Sequence, residues 1–591
     1  MIFQHLETIS EKGKIITVGR TPNNESVAVI LNNVEPYLIV SNYKGLEDEI
    51  DSMFKQIKFK KKISKKIGKI NHQKPTLSYH DEYHTLSFEY LKGQDIINYS
   101  ETDKSTFLKI KTNSVYDYYI VRSIVQGRVQ TVIDESVGLR INKQESFDGE
   151  YFYFISPEQV TKSVCLSEQT TIYNDQVDTS LQHFIEKDWY SCSWFEVVNS
   201  TSERKKNKIT TCDHEFEGTL KPIQHDGVAP WRILSYDIES LPPPRGNTGK
   251  FDFPSAEKDP VITIGATLTM EELEYYVWML CPDKNNEKDE LYDVEGFEAS
   301  KAKVFTFDSE FEMICHFIQF CIDKDVDFIQ GHNVNRFDNA YIIDRYNKLN
   351  KIKKELNWSR LKSYKTEIKK SSFSSSQKGT MEKFKLMIPG RVVLDSYDIM
   401  KDQHNESSYK LDNLAESYLG TKKVPMDYND IYPKYQTQEG RLELAVYCLK
   451  DAWLVHALLE KLCKLMVILQ MANVTGISVK DVMDRGQGIR TIALMIRYAK
   501  KHNLYIPRVK PSMSEESFEG AVVVDPDVGH YKNAVSCLDF ASLYPSIMQA
   551  MNMSYETLVS RQLINKMGWK EDVDVRTIPD YELIDGKLVT T

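Results

Sequence analysis

The feature that most restricts the fold of this chain is an alternation of strand and helix patterns between residues 229 and 465. Residues 231–237 have the apolar pattern of a buried strand, whereas 310–322 and 439–462 have the apolar spacing of helices. Strands that alternate with helices along the chain are typical of an α/β domain. The segment 229–465 is therefore predicted to form an α/β domain.

The remaining residues extend this prediction to a chain of several domains, since 591 residues exceed the size of a single hydrophobic core. Residues 1–228 contain short alternating strands with polar turns, 462–503 are strongly helical, and 519–524 begin another strand-rich unit. The Ser/Lys-rich stretch 369–378 is predicted to be a loop. The predicted fold class is multi-domain α/β and α+β, with a strand-rich N-terminal domain. The predicted N-terminal strands include 14–18, 26–30 and 37–40.

Composition argues against several classes of protein. The nine cysteines include no C-x-x-C pair, which argues against both a zinc site and a secreted disulfide framework. The first residues lack the basic and apolar regions of a leader, and no apolar run reaches transmembrane length. The sequence therefore predicts a soluble, intracellular protein with no membrane partner. The net charge of −10 is compatible with nucleic-acid binding, because an enzyme of this size needs only a basic groove.

Two acidic residues end the strand pattern that begins at residue 232. Asp237 and Glu239 are two positions apart, so a strand places both carboxylates on one face and Ile238 on the opposite, buried face. Two carboxylates in a dry cleft repel each other unless a cation lies between them. Because Asp-x-Glu is a common sequence, a structural role is the alternative for this motif alone.

Further acidic motifs follow where strands and helices meet. Asp338 lies between an apolar strand at 327–329 and a predicted helix at 340–347. An ordinary helix N-cap is the alternative role for this residue. Tyr447 and Asp451 are four residues apart on another predicted helix and therefore share one face. The alternative there is a solvated acid beside a core tyrosine.

Taken together, these acidic residues indicate a nuclease. Enough negative charge for two divalent ions is carried by Asp237, Glu239, Asp338 and Asp451. Two such ions stabilise the attacking and leaving oxygens in phosphodiester hydrolysis. Oxygen-only ligands favour Mg²⁺, with Mn²⁺ as the alternative, over zinc. With Tyr447 orienting the attacking water, the order and spacing are those of a proofreading 3′→5′ exonuclease domain of the DEDDy type.

A fifth acidic residue opens the motif Asp-Phe-Ala-Ser-Leu-Tyr-Pro-Ser-Ile at residues 539–547. An apolar strand is predicted at 534–538, and a tight turn and a helix start are predicted after Asp539. This arrangement suits a carboxylate that holds Mg²⁺ beside a phosphate-binding turn. An active site of this kind normally needs a second carboxylate from farther along the chain.

The motifs resemble those of family B DNA polymerases, closest to the eukaryotic delta type and the polymerases of large DNA viruses, over essentially the whole chain. Segments similar to the three exonuclease motifs of the family are 234–240, 331–338 and 447–451. Further similar segments are 371–375, 390–392, 409–415, 472–476, 485–487, 518–521 and 539–547. The resemblance implies an RNase H-like 3′→5′ exonuclease domain at 229–465. It also implies a helical connection back to the N-terminal domain at 466–515 and the start of a polymerase palm at 516–591.

For the exonuclease, the resemblance implies that the four carboxylates bind the metal ions. It also implies that Asn333 and Phe337 contact the frayed primer end, where a base can stack on an aromatic ring. Arg336 occupies a position where the delta type often has Asn.

For the polymerase, the resemblance assigns roles to Asp539, Phe540, Ser542, Leu543, Tyr544, Phe518, Gly520 and Ala521. Asp539 would bind metal ions with help from the Phe540 carbonyl. The backbone amides of residues 542–544 would hold the triphosphate, because N–H groups at a helix start suit an anion. The Tyr544 ring would lie under the sugar and exclude a 2′-OH. The element at 518–521 would run along the template DNA.

The fingers lysine element and the second acidic palm motif of the family do not occur in the sequence. We therefore expect a replicative DNA polymerase whose polymerisation needs a C-terminal portion, supplied by a second chain or by further sequence. Expected partners are primer-template DNA, single-stranded 3′ ends, dNTPs and a processivity factor, in the nucleus or at a viral replication site. A stand-alone 3′→5′ exonuclease and a DNA-binding scaffold are the alternatives.

Overall fold

The computed structural model describes residues 1–11, 14–32, 34–42, 44–56, 86–96, 104–126, 130–131, 141–147, 150–155, 162–163, 166, 170–201, 203–241, 253–281, 290–353, 355–375, 379–508, 524–554, 557, 564–565, 567–570, 581–584 and 587–590. Backbone contacts divide the chain into two compact units, one of residues 1–34 with 180–494 and one of residues 35–179 with 495–591. The predicted division at residues 228, 465 and 515 stays a prediction. Among the described residues, no helix combines the length and the apolar character needed to cross a membrane.

The first unit contains a closed five-stranded barrel. Its strands, in pairing order, are β1 (Ile2–Glu11), β12 (Trp194–Val198), β13 (His214–Ile223), β3 (Ser26–Leu31) and β2 (Lys14–Arg20). Buried Phe3, Val29 and Phe195 from these strands pack with Phe184 of helix α3 (Thr179–Glu186). The strands predicted at 14–18 and 26–30 are confirmed as parts of β2 and β3.

The second unit contains a five-stranded sheet with two helices packed on it. In pairing order its strands are β11 (Ile172–Tyr173), β4 (Tyr37–Ser41), β6 (Ser105–Thr112), β5 (Leu86–Asp95) and β22 (Leu504–Tyr505). Apolar residues of β4 and β6 share a core with α1 (Leu46–Gln56) and α2 (Val115–Val125). Among the described residues, the remaining helices and strands of this unit are β7 (Gln130–Thr131), β8 (Ile141–Phe147), β9 (Glu150–Ile155), β10 (Lys162–Ser163), α13 (Leu543–Met551), β23 (Tyr581–Ile584) and β24 (Lys587–Thr590).

A six-stranded sheet forms the centre of the predicted α/β domain. In pairing order its strands are β17 (Lys303–Phe307), β16 (Leu273–Leu280), β15 (Val261–Thr269), β14 (Ile233–Ser240), β18 (Phe328–Gly331) and β21 (Val392–Asp395). Strand β14 pairs antiparallel with β15 and parallel with β18. Strand β15 therefore runs beside Asp237 and Glu239, whereas β18 pairs with residues 233–235 of β14.

Helices cover both faces of this sheet, which explains why β15 is buried along nearly its whole length. The helices of the first unit after α3 are α4 (Glu310–Asp323), α5 (Asp338–Leu349), α6 (Ser396–Gln403), α7 (Leu411–Leu419), α8 (Ile431–Tyr435), α9 (Gln438–Lys461), α10 (Lys464–Thr475), α11 (Val479–Asp484) and α12 (Gln487–Lys501), of which α12 ends in the second unit. Trp278 of β16 packs with α4 residues, whereas its neighbour Val277 packs with α9 residues. Alternation along the strands therefore assigns α4 and α5 to one face and α9 to the other.

A buried ion-pair network joins the barrel to the six-stranded sheet. Arg20, at the end of β2, donates from Nε to Asp327 at 2.6 Å and from Nη2 to Asp325 at 2.8 Å. Arg360 binds the same two carboxylates, and the backbone N–H of Arg232, just before β14, donates to Asp327 at 2.8 Å. Because both aspartates are buried, their negative charges are compensated by the arginine side chains and not by water.

Two local predictions are wrong. Residues 369–375, predicted to be a loop, lie in β19 (Glu367–Ser375), which pairs antiparallel with β20 (Gly379–Met387). Residues 534–538, predicted to be a strand before Asp539, have no regular structure, and the side chains of Val535 and Leu538 are exposed. Apolar character alone does not form a strand where no neighbouring strand supplies hydrogen bonds.

Candidate functional site

The end of β14 carries Asp237 and Glu239 as predicted. Tyr236 and Ile238 are buried in the core formed with α4 and α5, whereas the side chains of Asp237 and Glu239 are partly exposed. In the ladder with β15, Asp237 lies opposite Gly265. Both carboxylates therefore lie on the face of the sheet that α9 covers.

The loop after β18 brings Asp338 to the start of α5. Asp395, at the end of β21, accepts hydrogen bonds from the backbone N–H groups of Asn333 at 2.8 Å and Asn335 at 3.0 Å. These bonds hold Asn333 in a left-handed conformation with φ of 62°. Asp338 is the buried first residue of α5, and the N-cap is Phe337. Asp338 is therefore not the N-cap residue.

Tyr447 and Asp451 lie on α9, which packs on β14 and β15. The ammonium group of Lys423 contacts the Asp451 carboxylate and lies 3.1 Å from the Tyr447 hydroxyl. Asp412 of α7 accepts the backbone N–H of Lys423 at 3.0 Å and so fixes the chain at this residue. The alternative of a solvated acid does not hold, since the Asp451 side chain is buried.

The four acidic residues influence one another electrostatically. Desolvation by the surrounding protein raises the pKa of Asp237 well above its ordinary value, and the charges of Asp338, Asp451 and Glu239 act in the same direction. Desolvation, together with the charges of Asp451 and Asp338, raises the pKa of Glu239 to about 8. Burial, with a contribution from Asp395, raises the pKa of Asp338 to about 7. Such shifts are expected where acidic groups gather in a poorly solvated place.

Lys423 opposes this accumulation of negative charge. Burial raises the pKa of Asp451, while the Lys423 ammonium lowers it. Burial would lower the pKa of Lys423 itself, but attraction by Asp451, Tyr447 and Asp237 outweighs it and raises the pKa. Lys423 therefore stays charged and stabilises the ionised form of its acidic neighbours.

The donor atoms at this place fit a hard divalent cation in type and charge. All the ligand candidates are carboxylates, and the Asp451 Oδ1 atom is buried without a hydrogen-bond partner in the described part of the chain. Among the residues that the structure describes, however, no group of three or more His, Cys, Asp and Glu side chains has the spacing of a metal site. Metal binding by the four carboxylates therefore remains a prediction.

Aromatic residues extend the site beyond the acids. Phe337, predicted to contact DNA, lies 5.3 Å from the Phe253 ring, whose residue is 75% exposed. Arg336 donates to Asp398 at 2.8 Å, and its guanidinium lies 5.3 Å from the centre of the Tyr397 ring. An exposed aromatic ring such as that of Phe253 is a suitable stacking surface for the bases of a single strand.

Sequence reasoning missed Lys423, Asp395 and Phe253. Asp395 follows the apolar run 392–394, the same signal that identified Asp237. Lys423 lies in a polar stretch between helices and gave no pattern. Phe253 likewise has no periodicity around it. A search for acids after apolar strands would therefore have found Asp395, but only the tertiary structure brings Lys423 and Phe253 to the site.

The second acidic motif has very different surroundings. Asp539 is exposed, as are Phe540 at 72% and Tyr544 at 73% of their surfaces. Ser542 has a left-handed φ of 50° and directly precedes α13, so the predicted turn and helix start are confirmed and the first amides at residues 543–544 open the helix. Asp539 belongs to the second compact unit, whereas Asp237, Glu239, Asp338 and Asp451 belong to the first. Phe518, Gly520 and Ala521, predicted to contact DNA, lie outside the described residues.

Comparison with known proteins gives matches over both regions. Residues 170–414 match the family model of the DNA polymerase family B exonuclease domain, and residues 477–584 match that of DNA polymerase family B. The first segment contains Asp237, Glu239 and Asp338, and the second contains Asp539. The two acidic regions therefore correspond to two modules of one protein family.

Relatives and a solved structure agree with these matches. The DNA polymerase delta catalytic subunit of Dictyostelium discoideum is 33% identical over 431 residues, which are 72% of this chain and 37% of the relative. The Arabidopsis thaliana protein of the same name is 28% identical over 93% of this chain and 46% of the relative. The family B DNA polymerase of Pyrobaculum calidifontis shares the fold, with a TM-score of 0.56, 18% identity and coverage of 94% of this chain and 57% of the other.

The chain thus spans less than half the length of these two curated relatives. Its two matched segments nevertheless belong to the exonuclease and polymerase modules of a single family, in the same chain. This chain belongs to the family B DNA polymerases.

Proposed function

We propose that the chain is a DNA 3′→5′ exonuclease that also carries part of a DNA polymerase active site. The observation that supports the exonuclease most strongly is the mutual influence of four buried or half-buried carboxylates, with Lys423 as their counter-charge. Neither alternative explains both regions. A DNA-holding scaffold needs no such acidic group, and a stand-alone exonuclease needs no second acidic motif at Asp539.

In this proposal the four carboxylates would hold two Mg²⁺ ions, which would supply positive charge to the attacking and leaving oxygens of the displacement. Mn²⁺ has the same ligand preference and is the alternative metal. Hydrolysis forms a bond between phosphorus and the water oxygen and breaks the bond to the 3′ oxygen of the preceding nucleotide, which takes up a proton. The water proton passes to solvent.

The chain's own side chains bind and orient the reactants. The Tyr447 hydroxyl, held by the Lys423 ammonium 3.1 Å away, orients the attacking water. Phe337 and the exposed Phe253 provide rings against which the terminal bases of a single-stranded 3′ end stack. Asn333, fixed by Asp395, contacts the same end of the strand.

For the polymerase portion, Asp539 and the Phe540 carbonyl would hold metal ions, and the backbone N–H groups of Ser542, Leu543 and Tyr544 would hold the triphosphate of a dNTP. Primer-template DNA would be the second substrate, with residues 518–521 along the template. A C-terminal polymerase portion is needed as a partner, and the exposure of Leu538, Phe540 and Tyr544 supports an uncompleted palm surface. A processivity factor, and a location in the nucleus or at a viral replication site, belong to the same proposal.

The exonuclease is tested with the purified chain and a labelled single-stranded oligonucleotide. With Mg²⁺ the chain should release mononucleotides from the 3′ end, and EDTA should stop the release. Replacing Asp237 and Glu239 together by Ala should lower the rate at least ~100-fold, because the charge that stabilises the transition state is lost. The matched control is the double replacement of Glu271 and Glu272, two exposed acids in the β15–β16 turn, by Ala.

Both double variants lose two negative charges. A difference in their rates therefore reports the role of Asp237 and Glu239 and not a general effect of net charge. Wild-type activity in the control is expected. Wild-type activity in the variant that lacks Asp237 and Glu239 would refute the site assignment. Release from the 5′ end would refute the proposed polarity.

A further inference from the structure

Helix α9 lies directly on the sheet at the position of Asp237. Cys448 of α9 reaches the pair formed by Asp237 and Gly265 in the β14–β15 ladder. Its Sγ accepts a hydrogen bond from the Gly265 N–H at 3.2 Å and donates one to the Asp237 carbonyl oxygen at 3.3 Å. Cys448 is fully buried. One side chain of the helix thus contacts the backbone of both strands beside a candidate metal ligand.

Gly265 makes this close approach possible. A Cβ atom at Gly265 would lie 2.6 Å from the Leu449 nitrogen and 2.8 Å from the Cys448 carbonyl carbon. These are backbone atoms of a helix, which cannot move aside singly, so any side chain at residue 265 would push the helix away from the sheet. The absence of a side chain at Gly265 and the length of the Cys448 side chain together set the distance between α9 and β15.

The position of Cys448 within α9 connects this contact to the chemistry. Tyr447 directly precedes it, and Asp451 follows it by three residues, so Cys448 and Asp451 are neighbours on the helix surface. A shift of α9 relative to the sheet would therefore move Tyr447 and Asp451 together, while Asp237 and Glu239 stay on β14.

We propose that Cys448 is a positioning residue which, through its contacts with Gly265 and Asp237, fixes Tyr447 and Asp451 relative to the carboxylates of β14. The inference rests on the proposed exonuclease function, because the separation of these groups matters only if they act on one substrate and its metal ions. A thiol suits the position, since hydroxyl hydrogen bonds are shorter, at about 2.7–3.0 Å. Cys448→Ser would draw the helix closer or lose one bond, and Cys448→Ala would lose both.

The test compares Cys448→Ala and Cys448→Ser with Cys321→Ala. Cys321 is a fully buried cysteine of α4, packed in the core on the opposite face of the sheet, and it controls for the general effect of removing a buried thiol. For each full-length variant, kcat and KM are measured on a single-stranded oligonucleotide at saturating Mg²⁺. The rise in Tm caused by Mg²⁺ is measured as a readout that does not depend on activity.

We expect Cys448→Ala to lower kcat roughly 100-fold and Cys448→Ser roughly 10-fold, because displacements near 1 Å have effects of that size, with KM little changed. The Mg²⁺-induced rise in Tm should shrink in both variants and persist in Cys321→Ala, whose kcat should equal that of the wild type. If Cys448→Ala does not fold, Cys448→Ser carries the test, since it retains a donor and an acceptor.

Wild-type kcat and a wild-type Mg²⁺ response in the Cys448 variants would overturn the proposal. Equal losses of kcat in Cys448→Ala and Cys321→Ala would also overturn it, because the effect would then be a general one of core packing. Failure of the proposed function looks different. If the wild-type chain neither degrades DNA nor responds to Mg²⁺, the exonuclease function and the positioning role of Cys448 are both refuted. If the wild type is active and the Cys448 variants are unaffected, only the positioning role is refuted.

Discussion

Asp237 and Asp539 both follow largely apolar residues, yet their surroundings differ in almost every respect. Asp237 lies within the central strand β14, between the buried residues Tyr236 and Ile238, and three other acids raise its pKa. Asp539 is exposed, follows a segment without regular structure, and has Leu538 beside it with 93% of its surface exposed.

The difference shows what a short acidic motif contains and what it does not. The motif supplies a carboxylate that can act as a ligand, and both regions have one. Elements far away in the sequence, such as α9 and the 331–338 loop at the exonuclease site, bury the carboxylate and bring other acids close to it. Both effects favour the binding of a cation. In each region, the surrounding fold therefore determines whether the carboxylate lies in a buried acidic cluster or in solvent.

The largest expected effect tests the contrast directly. The purified chain should degrade single-stranded 3′ ends but extend a primed template at least ~100-fold more slowly, because the polymerase acid is solvated and its donors are not preorganised. The measurement is a gel assay of one labelled primer-template with and without dNTPs. A chain that extends primers as fast as it degrades them would remove the distinction between the two regions.

A smaller effect is expected at Lys423. Lys423→Met should lower the exonuclease rate roughly 10–100-fold, because it removes a charge-assisted contact with Asp451 and the orientation of Tyr447. Loss of the ammonium raises the pKa of Asp451, Asp237 and Glu239, so the acidic limb of the pH–rate profile should move to higher pH. The matched control is Lys422→Met, the adjacent exposed lysine, which pairs with Glu416 on the surface.

An unshifted acidic limb in Lys423→Met would contradict the electrostatic role. A rate loss of the same size in Lys422→Met would show that the segment, rather than the buried ammonium, is sensitive to substitution.

The smallest effect concerns stability without metal. The pKa of Glu239 rises from 4.5 to about 8 on folding, and that of Asp338 from 3.8 to about 7. The folded chain then binds more protons than the unfolded chain between these values, so stability falls as pH rises from about 4 to about 8. A loss of about 1 kcal/mol would lower Tm by roughly 2–4 °C.

Thermal melts of the EDTA-treated chain at pH 5.5 and 8 measure this slope. Glu239→Gln should reduce the slope, the exposed control Glu272→Gln should not, and Mg²⁺ should raise Tm more at pH 8 than at pH 5.5. A slope that Glu239→Gln leaves unaltered would mean that the acids of this site do not cause it.

The sequence predicted the elements whose evidence is local and periodic. Helices α4 and α9, the strand that carries Asp237 and Glu239, and the start of the helix after Ser542 are confirmed. The prediction from sequence failed where strand pairing determines the local structure. The polar Ser/Lys sequence of β19 forms a strand because β20 pairs with it. Lys423 was not predictable because its role depends on Asp451, 28 positions away in the sequence, and on the backbone bond to Asp412.

The ion pairs of Arg20 have a practical consequence for anyone who wishes to isolate the nuclease. A chain shortened to begin near residue 229 would retain every proposed ligand but would lose Arg20, one of the two buried arginines that pair with Asp325 and Asp327. Removing one partner of a buried ion pair typically costs about 3–5 kcal/mol, a large part of the stability of a domain. A minimal nuclease engineered from this protein should therefore keep the barrel.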